Sequence, residues 1–164
     1  MTTGGVVVVG LGNSYRRDDG VGVAAATALD DLGLPGVRVR TGIAEPMSLL
    51  DVWTDAELAV VIDAAIVTPS APGRIRRYDL SEVPTQSDGL SSHSVDVGRA
   101  HALGQALGRV PDTLAVFTIE VADTGHGTGL TPQVARAVPK LVGMVVAEIN
   151  RARSARRSPR PASG

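Results

Sequence analysis

The sequence predicts an α/β fold, a three-layer sandwich in which helices cover both faces of a mostly parallel sheet with one antiparallel edge strand. Three apolar runs have the length and composition of strands that are buried on both faces. The segments between them carry apolar residues at helical spacing. Buried strands that alternate with amphipathic helices are typical of parallel sheets.

The first half of the chain predicts three strands and two helices. The β-branched run Val6 to Val9 predicts a central strand that ends in the turn Gly10-Leu11-Gly12-Asn13. A helix is predicted after Asp18-Asp19-Gly20, because acidic residues favour a helix N-terminus. The remaining elements are a half-exposed strand at Val37 to Arg40, a short helix at Met47 to Trp53 and a second central strand at Leu58 to Ile62, which Asp63 closes.

The second half predicts an edge strand, a third central strand and two further helices. Arg74 to Leu80 is rich in arginine, which protects an edge strand from pairing with other chains. A polar loop is predicted from Pro84 to Ser92. The other elements are a helix over Ser94 to Leu107, a strand over Leu114 to Ile119 that ends at Glu120, and a last helix that Thr131-Pro132 begins and Pro139 bends.

Length and composition limit the function classes. The 164 residues, 43% of them hydrophobic, predict a single α/β domain over residues 1–150. An aromatic content of 2% and a net charge of -1 argue against nucleic-acid binding, and a membrane span would need an apolar run of roughly 20 residues that the sequence lacks. Because the chain has no Cys, thiolate zinc sites and cysteine nucleophiles are excluded. A cytoplasmic protein is expected, since the N-terminus lacks a secretion signal.

Residues 151–164 form a basic tail with five Arg and no acid, which leaves 11 basic against 17 acidic residues in the rest of the chain. The tail lacks large apolar side chains and ends in Pro and Ser, so it is expected to be disordered. A solubilising role and binding to nucleic acid or another acidic partner both stay open for it.

The candidate site consists of polar side chains at the carboxyl ends of the predicted strands, because the ligand crevice of an open α/β sheet lies at that edge. Asp19 follows the first strand, Asp63 closes the second central strand, and His93 precedes a helix. Two carboxylates and an imidazole suit a divalent transition metal in an open site. The sequence therefore predicts that Asp19, Asp63 and His93 converge, with Glu120 as a further candidate ligand.

Each of the three residues also has a structural interpretation. Asp19, like Asp18 before it, suits a helix N-terminus. Asp63 suits a turn, and His93 suits an ordinary loop. Two further histidines are expected to be structural or exposed, namely His101 and His126.

The common motifs for nucleotide binding and for a serine nucleophile are incomplete or absent in this sequence. The turn after the first strand resembles the start of a dinucleotide fingerprint, but its third glycine would fall at Tyr15, whose ring would keep a helix away from the strand. The segment Val37 to Gly42 offers no acid for a ribose hydroxyl. The sequence contains neither a P-loop nor a nucleophile elbow, so serine hydrolase chemistry has no support.

The N-terminal part of the sequence resembles that of the hydrogenase maturation proteases, in the segments Val6 to Asn13 and Arg17 to Gly22. The resemblance spans most of residues 6 to 150. It continues, in the same order along the chain, with Ile62-Asp63-Ala64-Ala65 leading to Ala71-Pro72-Gly73, with Ser92-His93, and with Leu130-Thr131-Pro132. One segment departs from the family, which often has Asp-Gly-Gly-Thr-x-Gly where this chain has Arg40 to Pro46. That segment is expected to border the crevice, so its change leaves the identity of the substrate open.

The resemblance implies a cytoplasmic endopeptidase that removes the C-terminal extension of a nickel-iron hydrogenase large-subunit precursor after nickel insertion. The family's metal ligands would fall on Asp19, Asp63 and His93, and the precursor would supply the nickel. Asp63 is then a candidate general base for water, although the metal could assist cleavage or only be recognised. Two other functions stay open, a noncatalytic module that binds a metal-bearing partner and a small-molecule metallohydrolase.

Overall fold

The structure is a computed structural model that describes residues 5–79 and 96–157. A 3-10 helix, Arg17–Gly20, follows the first strand. The strands are β1 (Val6–Gly10), β2 (Val37–Arg40), β3 (Leu58–Ala65), β4 (Ile75–Asp79) and β5 (Thr113–Glu120). The α-helices are α1 (Val21–Asp31), α2 (Pro46–Trp53), α3 (Val97–Leu107) and α4 (Pro132–Arg157). Within the described ranges, no helix combines the length and the hydropathy that a membrane span needs.

The strands form one sheet in the order β2-β1-β3-β5-β4. β2, β1, β3 and β5 run parallel, and β4 pairs with β5 in the antiparallel direction at the edge. This arrangement confirms the predicted, mostly parallel sheet with an antiparallel edge strand. Arg76 and Arg77 are exposed on β4, where their charge protects the edge.

Side-chain alternation along the buried strands builds one apolar core on each face of the sheet. Val6 and Val8 of β1 pack in one cluster with side chains of α1 and α4. Val7 and Val9 pack in a second cluster with Trp53 of α2 and with residues of α3. The strands are apolar at successive positions because both of their faces are covered, which confirms the three-layer sandwich.

α1 lies directly against β1 and β3 because two glycines remove the side chains between them. A Cβ at Gly22 would be 2.4 Å from the carbonyl oxygens of both Leu11 and Ile62. A Cβ at Gly10 would be 2.4 Å from the carbonyl oxygen of Gly22. The expectation that Tyr15 keeps the helix away from the strand is wrong, because Tyr15 lies in the loop before the 3-10 helix and its side chain is 74% exposed.

α4 continues to Arg157, so the predicted disorder of the tail is wrong for residues 151–157. Ala and Arg favour helices, Ala152 packs against the core, and the guanidinium of Arg153 donates to the carbonyl oxygen of Pro35. Pro139 lies inside this helix. The rest of the predicted tail, residues 158–164, lies outside the described residues, as does the predicted loop from Pro84 to Ser92.

Glu148 is a buried carboxylate of α4 that two arginines hold. Arg77 donates through Nε to Oε1 at 3.2 Å, and Arg151 donates to Oε2. Burial alone would raise the pKa of Glu148, but the bonds from Arg77 and Arg151 outweigh burial and lower the pKa. The group borders a cavity with Leu58 and Thr113, the first residues of β3 and β5, so it lies at the edge opposite the carboxyl ends of the parallel strands.

Glu148→Gln is expected to lower the free energy of unfolding by about 1–3 kcal/mol at neutral pH, because charge-assisted hydrogen bonds are lost. The pKa of Glu148 in the folded state lies below the ordinary value of 4.5. Its contribution is therefore present above pH 4.5 and is lost as the pH falls through the folded value. Urea denaturation at about pH 7 and about pH 3 should show a difference between the two proteins that shrinks in acid. An equal difference at both pH values would contradict this prediction.

Candidate active site

At the carboxyl edge of the sheet, β1 ends before its neighbour β3 does. β1 ends at Gly10, which pairs with Ile62, whereas β3 continues to Ala65 in register with β5. The chain leaves β1 through Leu11, whose N–H donates to the carbonyl oxygen of Ile62 at 2.9 Å. The 3-10 helix that follows contacts β3.

Asp19 lies in this 3-10 helix and is 1% exposed. Its Oδ2 accepts a hydrogen bond from the N–H of Asn13 at 2.9 Å. Its Oδ1 is buried and accepts no hydrogen bond from any residue that the structure describes. A buried carboxylate oxygen without a donor costs about 1–3 kcal/mol or more, so Oδ1 has an acceptor position that a further donor or a cation could occupy. Gly12 is required beside it, because its φ is 115° and a Cβ would be 2.0 Å from the Asp19 carbonyl oxygen.

Asp63 lies inside β3, so the prediction that it closes the strand is wrong. The strand continues because β5 pairs with it as far as Ala65. The side chain of Asp63 is fully buried, and its Oδ1 accepts from the N–H of Ala64 at 2.8 Å. Alternation along the strand puts Asp63 on the same face as Val61, which α2 and α3 cover. The structure thus brings Asp19 and Asp63 to the same edge of the sheet, with Asp19 in the 3-10 helix that follows β1 and Asp63 near the end of β3.

His93 lies outside the described residues. α3 is described from Val97, and the carboxylate of Asp96 caps it by accepting from the N–H of Arg99 at 3.0 Å. In the part of the chain that the structure describes, no group of three or more His, Asp or Glu side chains could hold a metal ion. The three-residue site therefore stays a prediction, and two of its members have known positions.

A cleft of about 800 Å³ opens beside Asp19, within the usual range for ligand-binding clefts. The loop from Gly12 to Arg16 forms one wall. The other walls come from residues 41–44, which follow β2, and from His126, which follows β5. Residues 41–44 of the segment Arg40 to Pro46 thus border the cleft, where the sequence predicts this segment to lie.

Asp18, next to Asp19, is fully buried and has a different role from the predicted helix cap. Its carboxylate accepts four hydrogen bonds of 2.7–3.0 Å, from the N–H groups of Ala122, Asp123 and Thr131 and from the hydroxyl of Thr131. Burial raises the pKa of Asp18, but these bonds outweigh burial and hold the pKa below its ordinary value. Asp18 therefore ties the 3-10 helix to residues 122–131.

The other two histidines of the chain are structural or exposed, as predicted. His101 is buried in α3 with its ring centroid 6.1 Å from that of Trp53, and burial lowers its pKa. His126 is exposed, and it lines the cleft.

Glu120 is engaged in contacts of its own. Its Oε1 accepts from the N–H of Ala71 at 3.1 Å, and its Oε2 lies 3.7 Å from Nε of Arg74 and 3.8 Å from Nε of Arg76. These contacts hold the connection between β3 and β4 against the end of β5. Glu120 therefore holds this connection, and it stays a candidate further ligand because its buried Oε2 accepts no hydrogen bond from the described residues.

Comparisons with known proteins agree on one family. The hydrogenase maturation protease family model matches residues 30–148 of this chain. The hydrogenase 2 maturation protease of Escherichia coli is 25% identical over 88% of this chain and 90% of its own length. Coenzyme F420 hydrogenase subunit delta of Methanothermobacter thermautotrophicus is 24% identical over 88% of this chain and 94% of its own length.

A solved structure shows the same fold. The hydrogenase maturating endopeptidase HybD of Escherichia coli superposes with a TM-score of 0.78, covering 90% of this chain and 93% of HybD at 24% identity. The family match itself includes β3 with Asp63 and the segment 122–131 that Asp18 binds. The resemblance found in the sequence is thereby confirmed. The chain belongs to the hydrogenase maturation protease family, and it is an endopeptidase that acts on a hydrogenase precursor.

Proposed function

We propose that this endopeptidase removes the C-terminal extension of a nickel-iron hydrogenase large-subunit precursor after nickel insertion, and that it acts in the cytoplasm. Membership of the family supports a hydrogenase precursor as the substrate. The name of the Escherichia coli relative, hydrogenase 2 maturation protease, supports the same substrate class. The cleft beside Asp19 is open to solvent, as a site for a segment of another protein requires.

Asp19, Asp63 and His93 bind, in this proposal, the nickel that the precursor carries. The observation that supports it most is the buried Oδ1 of Asp19, which accepts no hydrogen bond from the described residues and belongs to a side chain that lines the cleft. Two carboxylates and an imidazole are donors that fit Ni²⁺. Nickel is thus part of the substrate, and only a precursor that carries it engages all three side chains.

The residues of this chain then orient the substrate and move a proton. Bound nickel would polarise the scissile carbonyl group. Asp63 serves as the general base that accepts a proton from the attacking water. The N–H of Asn13 fixes the orientation of the Asp19 carboxylate through Oδ2.

The test is the intact mass of a nickel-loaded large-subunit precursor before and after incubation with this chain. We expect loss of a C-terminal peptide from the nickel-loaded precursor and an unchanged mass for the nickel-free one. Asp19→Asn should slow the cleavage on the order of 10³-fold, whereas the exposed Asp51→Asn should cleave like the wild type. Equal cleavage of the nickel-free precursor would contradict the role of nickel. Binding without loss of mass would favour a noncatalytic module and overturn the proposal.

A further inference from the structure

Residues 122–131, here named the clamp loop, join β5 to α4 and are bound to the segment that carries Asp19. The N–H of Asp18 donates to the carbonyl oxygen of Asp123 at 2.9 Å, and that of Arg17 donates to Gly127 at 3.0 Å. In return, the N–H of Gly127 donates to the carbonyl oxygen of Tyr15 at 2.9 Å. The two segments therefore form a short stretch of paired backbone.

Asp18 holds both ends of the clamp loop at once. Its carboxylate accepts from Ala122 and Asp123 at the start of the loop and from Thr131 at its end. Oδ2 accepts three of these bonds and Oδ1 accepts the fourth, so both oxygens of Asp18 are held by the clamp loop.

Asp19 is the next residue and is also buried, but its carboxylate accepts fewer hydrogen bonds than that of Asp18. Its Oδ1 accepts no hydrogen bond from the described residues. The clamp loop also lines the cleft through His126, whose carbonyl oxygen accepts from Nε of Arg17 at 3.3 Å. A displaced clamp loop would therefore change both the position of Asp19 and the shape of the cleft.

We propose that Asp18 is a positioning residue of the peptidase, which fixes the clamp loop against the 3-10 helix and so determines where Asp19 meets the substrate. This inference rests on the proposed role of Asp19 in binding the metal of the precursor. Displacement of a reacting group by about 1 Å lowers rates by about 10²-fold. Loss of Asp18 is therefore expected to reduce turnover as well as stability.

Asp18→Asn tests the inference, with Glu148→Gln as the matched control. The new amide presents an NH₂ donor to the donors of the clamp loop, so hydrogen bonds are lost. Both carboxylates are buried and hold several hydrogen bonds, but Glu148 lies at the opposite edge of the sheet. With nickel-loaded precursor, we expect kcat to fall at least about tenfold in Asp18→Asn and to stay unchanged in Glu148→Gln. Both variants should have a lower Tm than the wild type.

Two substitutions of Thr131 keep the inference testable where Asp18→Asn does not fold. Thr131→Val removes the hydroxyl that donates to Oδ2 of Asp18 at 2.8 Å, and Thr131→Ser keeps that hydroxyl. We expect kcat to fall about threefold in Thr131→Val and to stay near the wild-type value in Thr131→Ser.

The inference would be overturned if Asp18→Asn had lowered stability but the kcat and KM of the wild type. Where Asp18→Asn does not fold, the same result for Thr131→Val would overturn it. Asp18 would then have a structural role only. Asp19→Asn separates this failure from failure of the proposed function. Normal cleavage by Asp19→Asn would refute the proposed site itself. An inactive Asp19→Asn beside an Asp18→Asn with wild-type kinetics would refute the positioning role alone.

Discussion

Asp63→Asn is expected to slow cleavage of the precursor on the order of 10³-fold while the fold stays intact. Asn has nearly the same shape as Asp, and its carbonyl oxygen can still accept from the N–H of Ala64. It lacks the negative charge with which the Asp63 carboxylate would bind a metal ion or accept a proton. The loss should therefore appear in catalysis, measured as the rate at which a nickel-loaded precursor loses mass.

Two measurements complete the Asp63 experiment. Thermal unfolding should show that Asp63→Asn is folded at the assay temperature. Asp51→Asn should cleave at the wild-type rate, because Asp51 pairs with Arg109 on the surface and exposed ion pairs contribute little. Full activity of Asp63→Asn would remove Asp63 from the site.

Gly22→Ala is expected to lower the free energy of unfolding by about 3 kcal/mol or more. The added methyl group would lie 2.4 Å from the carbonyl oxygens of Leu11 and Ile62, and both are backbone atoms that cannot rotate away. α1 would have to move away from the sheet. Since the 3-10 helix that carries Asp19 leads directly into α1, peptidase activity should fall as well. Urea denaturation measures the first effect, and the precursor assay measures the second.

Gly143→Ala is the control for the substitution itself. Gly143 is exposed in α4, and a Cβ there would have no described atom within 4 Å. Ala is the better helix former, so this variant should gain about 0.5–1 kcal/mol. A Gly22→Ala protein with the denaturation midpoint of the wild type would show that the contact between α1 and the sheet tolerates a methyl group.

Most of the fold could be predicted because strands and helices have local signals. Val6 to Val9 and Leu58 to Ile62 both form central strands where the sequence predicts them. The end of β3 could not be predicted, because pairing with β5 carries the strand through Asp63, which the local pattern treats as a turn residue. The helical state of residues 151–157 likewise depends on a distant contact, from Arg153 to Pro35.

The candidate site could be predicted in part. Topology alone puts Asp19 and Asp63 at one edge of the sheet, since parallel strands end there together. The sequence could not distinguish Asp18 from Asp19, because the two are adjacent, have the same side chain and both suit a helix N-terminus. Their partners distinguish them: Asp19 accepts from Asn13, whereas Asp18 accepts from Thr131, 113 residues away. Sequence patterns describe residues that are a few positions apart, so they cannot predict a hydrogen bond between residues this far apart in the chain.

The late position of the clamp loop has a consequence for biosynthesis. β1, the 3-10 helix and β3 leave the ribosome first, whereas the clamp loop follows only after β5. Contacts between segments this far apart form slowly, because a long loop must close before they are made. A nascent chain that ends before His126 carries both acids of the site but lacks one wall of its cleft. The enzyme should therefore become active in one late step, when its last helix packs, and not gradually as the chain grows.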